Sequence, residues 1–272
     1  MHARRAVASL VLLWLLSPAP AIATEAARLL QQAIGDHSLV LLGEMHGTRE
    51  IPAISGELVA RYAKDETVLL ALEANAGDQA RVERFLRSDG GVSAKADLLS
   101  GEHWQEIHHD GRDSAAMFAL LEQVRQLRAS GRKVDVVMFD DAGQADRDTR
   151  MAEAIRAAVT AHPGARTLAL MGNVHAMTGE PPVMLSDGKP FVPPRTVGGH
   201  LADLSPLSIV FRANEGSFWT CMREQCGEQP VIPGAAATGA LPRMEENGVG
   251  AAWMLTLLLP RFTASPPAID EP

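Results

Sequence analysis

Four short, largely apolar runs, each followed by glycine or by an ionisable residue, constrain the fold of this chain most strongly. They cover residues 38–42, 67–72, 134–139 and 167–171. Such runs are typical of strands buried on both faces, as in a parallel sheet covered by helices. Segments with helical periodicity separate the runs, so the chain repeats a strand–helix unit.

The rest of the chain extends this pattern. Further strands, in part antiparallel, are expected at residues 207–212, 218–222 and 253–259. The sequence therefore predicts a single α/β domain over residues 24–272, with a mixed, mostly parallel sheet flanked by helices and antiparallel C-terminal strands. We expect loops at 90–113, 179–199 and 231–250, and a tail at 263–272 that is disordered or held at an edge.

Residues 1–23 have the features of an export signal. Arg4 and Arg5 precede an uncharged apolar stretch, and Ala21-Ile22-Ala23 has the small-x-small pattern of a cleavage site. The stretch is shorter than the roughly 20 apolar residues that span a bilayer. We therefore expect cleavage after Ala23, a periplasmic or secreted protein, and no membrane span after cleavage.

Charge and composition narrow the classes of partner. The 272 residues carry a formal net charge of −8, which argues against nucleic acid because phosphate binding needs a basic face. Aromatic residues make up only 4% of the chain, so platforms for stacking bases or sugars are not expected. Cys221 and Cys226 are the only cysteines, and in an oxidising compartment we expect them to form a disulfide. The oligomeric state stays open.

Ionisable or amide side chains follow each of the four runs. In chain order they are Glu44 and His46, Glu73, Asp140, and Asn173 and His175. The first and fourth runs end in similar segments, Gly-Glu-Met-His and Gly-Asn-Val-His. The carboxyl ends of parallel strands meet at one edge of a sheet, where α/β proteins place ligand sites. We therefore expect these side chains to lie close together.

This set of side chains suits acid–base catalysis. We expect His46 to take a proton from water, supported by Glu44, Glu73, Asp140 and His175. The two histidines with Glu44 and Glu73 would also suit a divalent metal such as Mn, Co or Zn. The chain has no Gly-x-Ser-x-Gly elbow and no phosphate-binding glycine loop, so an activated water is favoured over a covalent intermediate.

Several neighbouring residues have more than one interpretation. The candidate substrate-binding residues are Arg112, Asp140, Asn173 and Arg147, and for Arg112 the alternative is a surface ion pair. Asn173 either donates to an oxyanion or holds its own turn. Glu44 either acts in the site or caps the following helix. Strand alternation favours Asp140 over the aspartate after it as the residue that faces the pocket.

The motifs resemble those of a superfamily that includes the erythromycin esterases, the ChaN-like haem-uptake proteins and the Tiki/TraB proteins. The similarity extends from residue 38 to the end of the chain. Its motifs are Leu42-Gly43-Glu44-Met45-His46-Gly47, Leu72-Glu73, Arg147-Asp148-x-x-Met151-Ala152, Gly172-Asn173-Val174-His175-Ala176, and the ending that starts at Leu259-Pro260-Arg261.

The resemblance implies an EreA/ChaN-like α/β fold with a site at the strand ends. In the esterase branch Glu and His serve a water-activating site, and Glu44, His46, Glu73 and His175 take the corresponding positions. In the Tiki branch paired Gly-x-x-His motifs are associated with metal-dependent peptide cleavage, which His46 and His175 fit. ChaN-like proteins bind haem on the same scaffold. We favour a divalent metal over haem as a cofactor.

Three functions are compatible with these observations. The first is an exported hydrolase, esterase- or peptidase-like, that cleaves an ester or amide in a small molecule or peptide with a histidine- or metal-activated water. The second is a haem- or metal-binding uptake protein of the ChaN-like type without turnover. The third is an inactive interaction domain. The acidic strand ends favour the hydrolase, because they suit water activation better than an apolar porphyrin slot.

Overall fold

A computed structural model describes residues 18–106, 109–141, 146–186, 189–222, 225–232 and 240–269. The helices are α1 (Pro18–Ile34), α2 (Glu50–Tyr62), α3 (Gln79–Leu86), α4 (Val92–Leu99), α5 (Ala115–Ala129), α6 (Arg147–Ala161) and α7 (Val197–His200). The strands are β1 (Leu39–Glu44), β2 (Val68–Asn75), β3 (Val134–Asp140), β4 (Arg166–Gly172), β5 (Met184–Ser186), β6 (Lys189–Phe191), β7 (Leu207–Ala213), β8 (Ser217–Met222), β9 (Gln225–Pro230), β10 (Arg243–Glu246) and β11 (Leu255–Leu259).

The main sheet has seven strands in the order β10-β11-β7-β1-β4-β2-β3. Its neighbours are parallel except for the C-terminal pair, in which β10 runs antiparallel to β11. Two separate antiparallel hairpins are formed by β5–β6 and by β8–β9. The predicted fold class, a mostly parallel sheet with antiparallel strands near the C-terminus, is confirmed.

Helices pack on both faces of the sheet, but unequally. Residues of α1 to α5 bury one face in the larger apolar cluster. Residues of α6 and α7 cover the central strands on the other face. All six residues of β1 are buried, which explains its apolar run: a strand covered on both sides has no solvent-facing position for a polar residue.

Three predicted loops contain regular structure. Residues 90–113 include α4, residues 179–199 include the β5–β6 hairpin and α7, and residues 231–250 include β10. These elements are short, and α4 buries only Leu98, so none has the apolar periodicity by which a sequence indicates an element. The described part of the tail is held at an edge, where Ala264 and Pro267 form bridges with Thr48 and Ser114.

The expected export signal lies largely outside the described residues, which begin at Pro18. Helix α1 continues through the expected cleavage position after Ala23. Within the described residues, none of the helices combines the length and the apolar character needed to cross a bilayer. The expected disulfide between Cys221 and Cys226 is present and links β8 to β9, which is compatible with an exported protein.

Candidate active site

The carboxyl ends of β1, β2, β3 and β4 bring the predicted site residues together at one edge of the sheet. Glu44 is the last residue of β1, and Glu73 lies two residues before the end of β2. Asp140 is the last residue of β3. His46 and His175 follow β1 and β4 in short turns. Parallel strands order these side chains, since each strand ends at the same edge.

The two histidines have parallel arrangements around one carboxylate. The Nδ1 atom of His46 lies 3.0 Å from Glu44 Oε1, and the Nδ1 atom of His175 is hydrogen-bonded to Asp148 at the start of α6. Their Nε2 atoms lie 3.8 Å and 3.7 Å from the two carboxylate oxygens of Glu73. Each ring is thus oriented by its own carboxylate and directs its other nitrogen towards Glu73.

Glu73 is buried, with 4% of its surface exposed, so its charge requires partners. The backbone N–H of Gly172 donates to Oε2 at 2.6 Å, and Arg147 Nη2 donates to Oε1 at 2.7 Å. Arg112 Nη1 lies 3.7 Å from the same Oε1 atom. These contacts fix the carboxylate between the two imidazoles.

A ladder of carboxylates and guanidinium groups supports this centre. Arg147 donates from Nε and Nη2 to the two oxygens of the fully buried Asp140, at 2.8 Å and 2.7 Å. Arg112 donates from Nη1 to Asp140 and from Nε to Asp110 Oδ2, at 2.7 Å for the latter. Asp140 therefore pairs with both arginines, and Asp141 pairs instead with Arg150.

The glycine that ends β4 leaves room for the two rings to approach. A Cβ atom at Gly172 would lie 3.0 Å from His46 Nε2 and 3.5 Å from both Glu73 Oε2 and His175 Cδ2. Gly47 has a φ angle of +70°, which favours glycine. It also leaves room for another close approach, since a Cβ atom there would lie 1.9 Å from the backbone oxygen of Trp219. This contact places the β8–β9 hairpin directly beside the turn that carries His46.

The charges of the site shift the pKa values of His46 and Glu73 in opposite directions. Burial acts to lower the pKa of His46, but the carboxylates of Glu44, Glu73 and Asp110 outweigh it and raise the pKa to about 9. Burial acts to raise the pKa of Glu73, but the surrounding positive charge, that of His46 foremost, lowers it to about 2. At neutral pH His46 is therefore an imidazolium and Glu73 a carboxylate.

His175 differs from His46 in the partner of its Nε2 atom. Arg147 Nη1 lies 3.1 Å from His175 Nε2, and a guanidinium can only donate. Nε2 is therefore the acceptor, and the ring proton lies on Nδ1, directed at Asp148. In this tautomer the Nε2 lone pair of His175 faces the Arg147 guanidinium and the site.

The histidines open into a cavity of about 320 Å³. Asn173 lines this cavity, but its backbone rather than its side chain makes the hydrogen bonds seen there: its N–H donates to Glu44 O, and its carbonyl accepts from Trp253 Nε1. Met45 and Phe218 supply apolar walls. The cavity is large enough for a carbonyl group and its immediate substituents.

Two residues of the site were not identified from the sequence. Asp148 orients His175, and Asp110 pairs with Arg112 and adds to the charge around His46. Asp148 directly follows Arg147 in one of the motifs quoted above, and nothing else in the sequence indicates that it belongs to the site. Asp110 lies in the segment that was interpreted as an irregular loop.

The donor set does not fit a metal ion as it is arranged. Imidazoles oriented by carboxylates are typical of metal ligands, yet the Arg147 guanidinium contacts both His175 Nε2 and Glu73 Oε1, where a shared ion would bind. Across the part of the chain that the structure describes, no three His, Cys, Asp or Glu side chains are grouped to hold one. Binding of Mn, Co or Zn stays a prediction, and no step below uses a metal.

Comparison with solved structures identifies proteins of the same fold. A succinoglycan biosynthesis protein superposes with a TM-score of 0.65 at 11% identity, covering 87% of this chain and 91% of that one. An erythromycin esterase, EreC, gives 0.63 at 12% identity, covering 90% and 95%. A Bacillus cereus protein gives 0.62 at 14% identity, covering 92% and 95%.

These likenesses show an α/β fold of the EreA/ChaN-like kind, and the fold implied by the superfamily resemblance is confirmed. No protein-family model matches the sequence, and no curated protein matches it significantly.

Proposed function

We propose that this chain is an exported hydrolase that adds water to an ester or amide without forming a covalent enzyme intermediate. The observation that carries the proposal is the pair of carboxylate-oriented imidazoles whose Nε2 atoms lie within 4 Å of one buried carboxylate. Such a centre offers a base and an acid in one cavity, as hydrolysis requires. The esterase among the proteins of the same fold supports this choice.

The two rings take different roles because they differ in protonation. His175, neutral and oriented by Asp148, accepts a proton from water at Nε2 while the water oxygen attacks the carbonyl carbon. His46 donates a hydrogen bond from Nε2–H to the developing oxyanion and then gives its proton to the leaving alkoxide or amine. This assignment differs from the expectation that His46 activates the water, because the pKa of His46 is about 9.

Proton exchange with solvent returns the site to its starting state. The products are a carboxylic acid and an alcohol or amine, and at that point His175 has gained one proton and His46 has lost one. His175 then gives its proton to solvent water, and His46 takes one up. Glu73 is almost equidistant from both rings, so it stabilises the positive charge on either. Within the described part of the chain, Arg147 Nη1 contacts His175 alone, and it moves away from His175 Nε2 when water and substrate enter.

The test is hydrolysis of a panel of p-nitrophenyl esters and anilides by the purified protein. We expect His46→Ala and His175→Ala each to lower kcat/KM by at least about a hundredfold. His37→Ala, an exposed histidine between α1 and β1, is the matched control and should match the wild type. Wild-type rates in both site variants would disprove the proposal.

Two further measurements address the alternatives. Elemental analysis of the purified protein tests the metal prediction: stoichiometric Mn, Co or Zn, with activity lost to a chelator, would overturn the metal-free assignment. Titration with haem tests the uptake function, for which the free Nε2 atoms of the two histidines are the candidate ligands. A Soret shift that both alanine variants abolish, without hydrolysis of any substrate, would favour that function.

A further inference from the structure

One face of the sheet carries a groove over its edge strands. Helices α6 and α7 pack against the central strands on this face, while a cavity of about 860 Å³ lies over β7, β11 and β10. Its floor comes from residues that are register partners on the three strands: Arg212, Thr256, Leu258, Arg243 and Glu245. We call this cavity the edge groove.

The β8–β9 hairpin and the segment that follows it form an apolar wall of the edge groove. Phe218, Met222, Val231 and Ile232 line it, and Met222 and Ile232 are 58% and 90% exposed. Exposed apolar side chains around a cavity of this size are typical of a binding surface. The wall is anchored, since Trp219 N–H donates to Gly47 O at 2.9 Å.

The edge groove adjoins the candidate active site. Met45 and Phe218 line both cavities. Met45 directly precedes His46, so a substrate that extends from the catalytic cavity past these two side chains would reach the groove. The groove is thus placed to receive the part of a substrate beyond its scissile bond.

The floor of the edge groove carries an uncompensated positive charge. Arg243 forms an ion pair with Glu245. The guanidinium of Arg212 stacks on Trp253 instead, with its Cζ atom 4.9 Å from the ring centre. No carboxylate of the described residues forms an ion pair with Arg212. Trp253 in turn donates from Nε1 to the backbone oxygen of Asn173, a residue that lines the candidate active site.

We propose that the edge groove binds an apolar chain of the substrate that ends in a carboxylate paired with Arg212. The proposal rests on the proposed hydrolase and names its substrate class: an ester or amide of a dicarboxylic acid or a similar amphipathic acid. The apolar wall stabilises the chain by burial, and Arg212 selects the anionic end by charge.

Three matched esters test this specificity: p-nitrophenyl acetate, p-nitrophenyl hexanoate and the p-nitrophenyl monoester of adipic acid, which replaces the terminal methyl of hexanoate by a carboxylate. Each buried methylene is worth up to about fourfold in kcat/KM. We expect hexanoate to exceed acetate by at least about tenfold, and the adipate monoester to exceed hexanoate by at least about fivefold.

Variants separate the two parts of the groove. Arg212→Met should abolish the preference for the adipate monoester and keep that for hexanoate over acetate, while Arg212→Lys should retain part of the former. Thr256→Trp fills the floor and should reduce the preference for hexanoate over acetate. Val92→Trp, at a residue of α4 that is 88% exposed, is the control and should change neither ratio.

A binding measurement keeps failure of the groove distinct from failure of the hydrolase. Calorimetric titration with adipate should show binding that Arg212→Met abolishes, and this readout needs no turnover. Adipate binding without hydrolysis of any ester would support the groove and overturn the hydrolase. Ester hydrolysis with ratios that Arg212→Met and Thr256→Trp leave unchanged would overturn the groove. A haem complex or a dimer abolished by Thr256→Trp would also overturn it, by assigning the groove to another occupant.

Discussion

Glu44→Gln is the substitution that tests the electrostatics of the site most directly. Glutamine has nearly the same shape as glutamate, and its amide oxygen still accepts the Nδ1–H of His46, so the ring keeps its orientation. The substitution removes the carboxylate that contributes most to raising the pKa of His46. The burial that lowers this pKa remains.

The magnitude follows from the pKa shift. A rise from 6.5 to about 9 corresponds to roughly 3 kcal/mol in favour of the charged ring. One adjacent opposite charge shifts a pKa by about one to three units. We therefore expect the pKa of His46 in Glu44→Gln to fall by about one to three units from its value of about 9, so that the ring loses its charge between about pH 6 and pH 8.

Two assays measure this fall. An NMR titration of ¹³Cε1-labelled histidine follows the ring itself, and the pH profile of kcat/KM follows its role. If the charged form of His46 acts as the acid, activity declines as pH rises through about 9 in the wild type, and this basic limb moves to lower pH in Glu44→Gln. Glu153→Gln, at an exposed position of α6, should leave both midpoints unchanged.

The opposite pH dependence would refute the reasoning. If His46 is the base, activity rises as pH rises through about 9, and Glu44→Gln brings that rise to lower pH. A titration midpoint that stays near 9 in Glu44→Gln would show that this carboxylate does not control the charge of the ring. The first result would reverse the roles proposed for the two histidines, and the second would refute the assignment of the charge of His46 to Glu44.

Three further predictions concern other parts of the centre. Asp148→Asn should lower kcat at least about a hundredfold with little change in KM, measured by steady-state kinetics, because the tautomer of His175 is no longer fixed. Glu73→Gln should lower the unfolding free energy at pH 7 by roughly 3 kcal/mol. Since the pKa of Glu73 is lowered from 4.5 to about 2, denaturant titrations should show this difference shrinking as pH falls from 4.5 towards 2. Gly172→Ala should reduce kcat/KM by about tenfold, because the added Cβ atom would lie 3.0 Å from His46 Nε2 and displace the ring. Gly248→Ala, whose added Cβ atom meets no atom within 4 Å, should leave kcat/KM unchanged.

The elements that could be predicted from the sequence are those whose burial is complete. Strand β1 is buried along its whole length and β4 nearly so, and both stand out as apolar runs. Helix α4 and strand β10 lie at the surface and bury few side chains. Their conformation depends on the neighbours they pack against, and that information is not in their own residues.

The same distinction applies to the site. Buried strands carry Glu44, Glu73 and Asp140 at or near their carboxyl ends, and His46 comes just after one of them. The order of the strands alone therefore brings these side chains to one edge of the sheet. Asp110 lies in a loop after α4, and its position depends on Arg112 and on the fold around it. Sequence spacing identifies the residues that strands carry to the site, whereas it missed Asp110, which a loop carries there, and Asp148, which α6 carries there.

The unequal partners of the two Gly-x-x-His segments account for their unequal chemistry. The carboxylate of Glu44 stands two residues before His46, so the first segment carries its own counter-charge and its ring is held as a cation. The second segment has neutral Asn173 at the corresponding position. His175 takes its carboxylate from α6 together with an adjacent guanidinium, whose N–H groups require an unprotonated Nε2. In the proposed mechanism the two similar segments therefore serve as an acid and a base, because one carries its counter-charge locally and the other receives it through the fold.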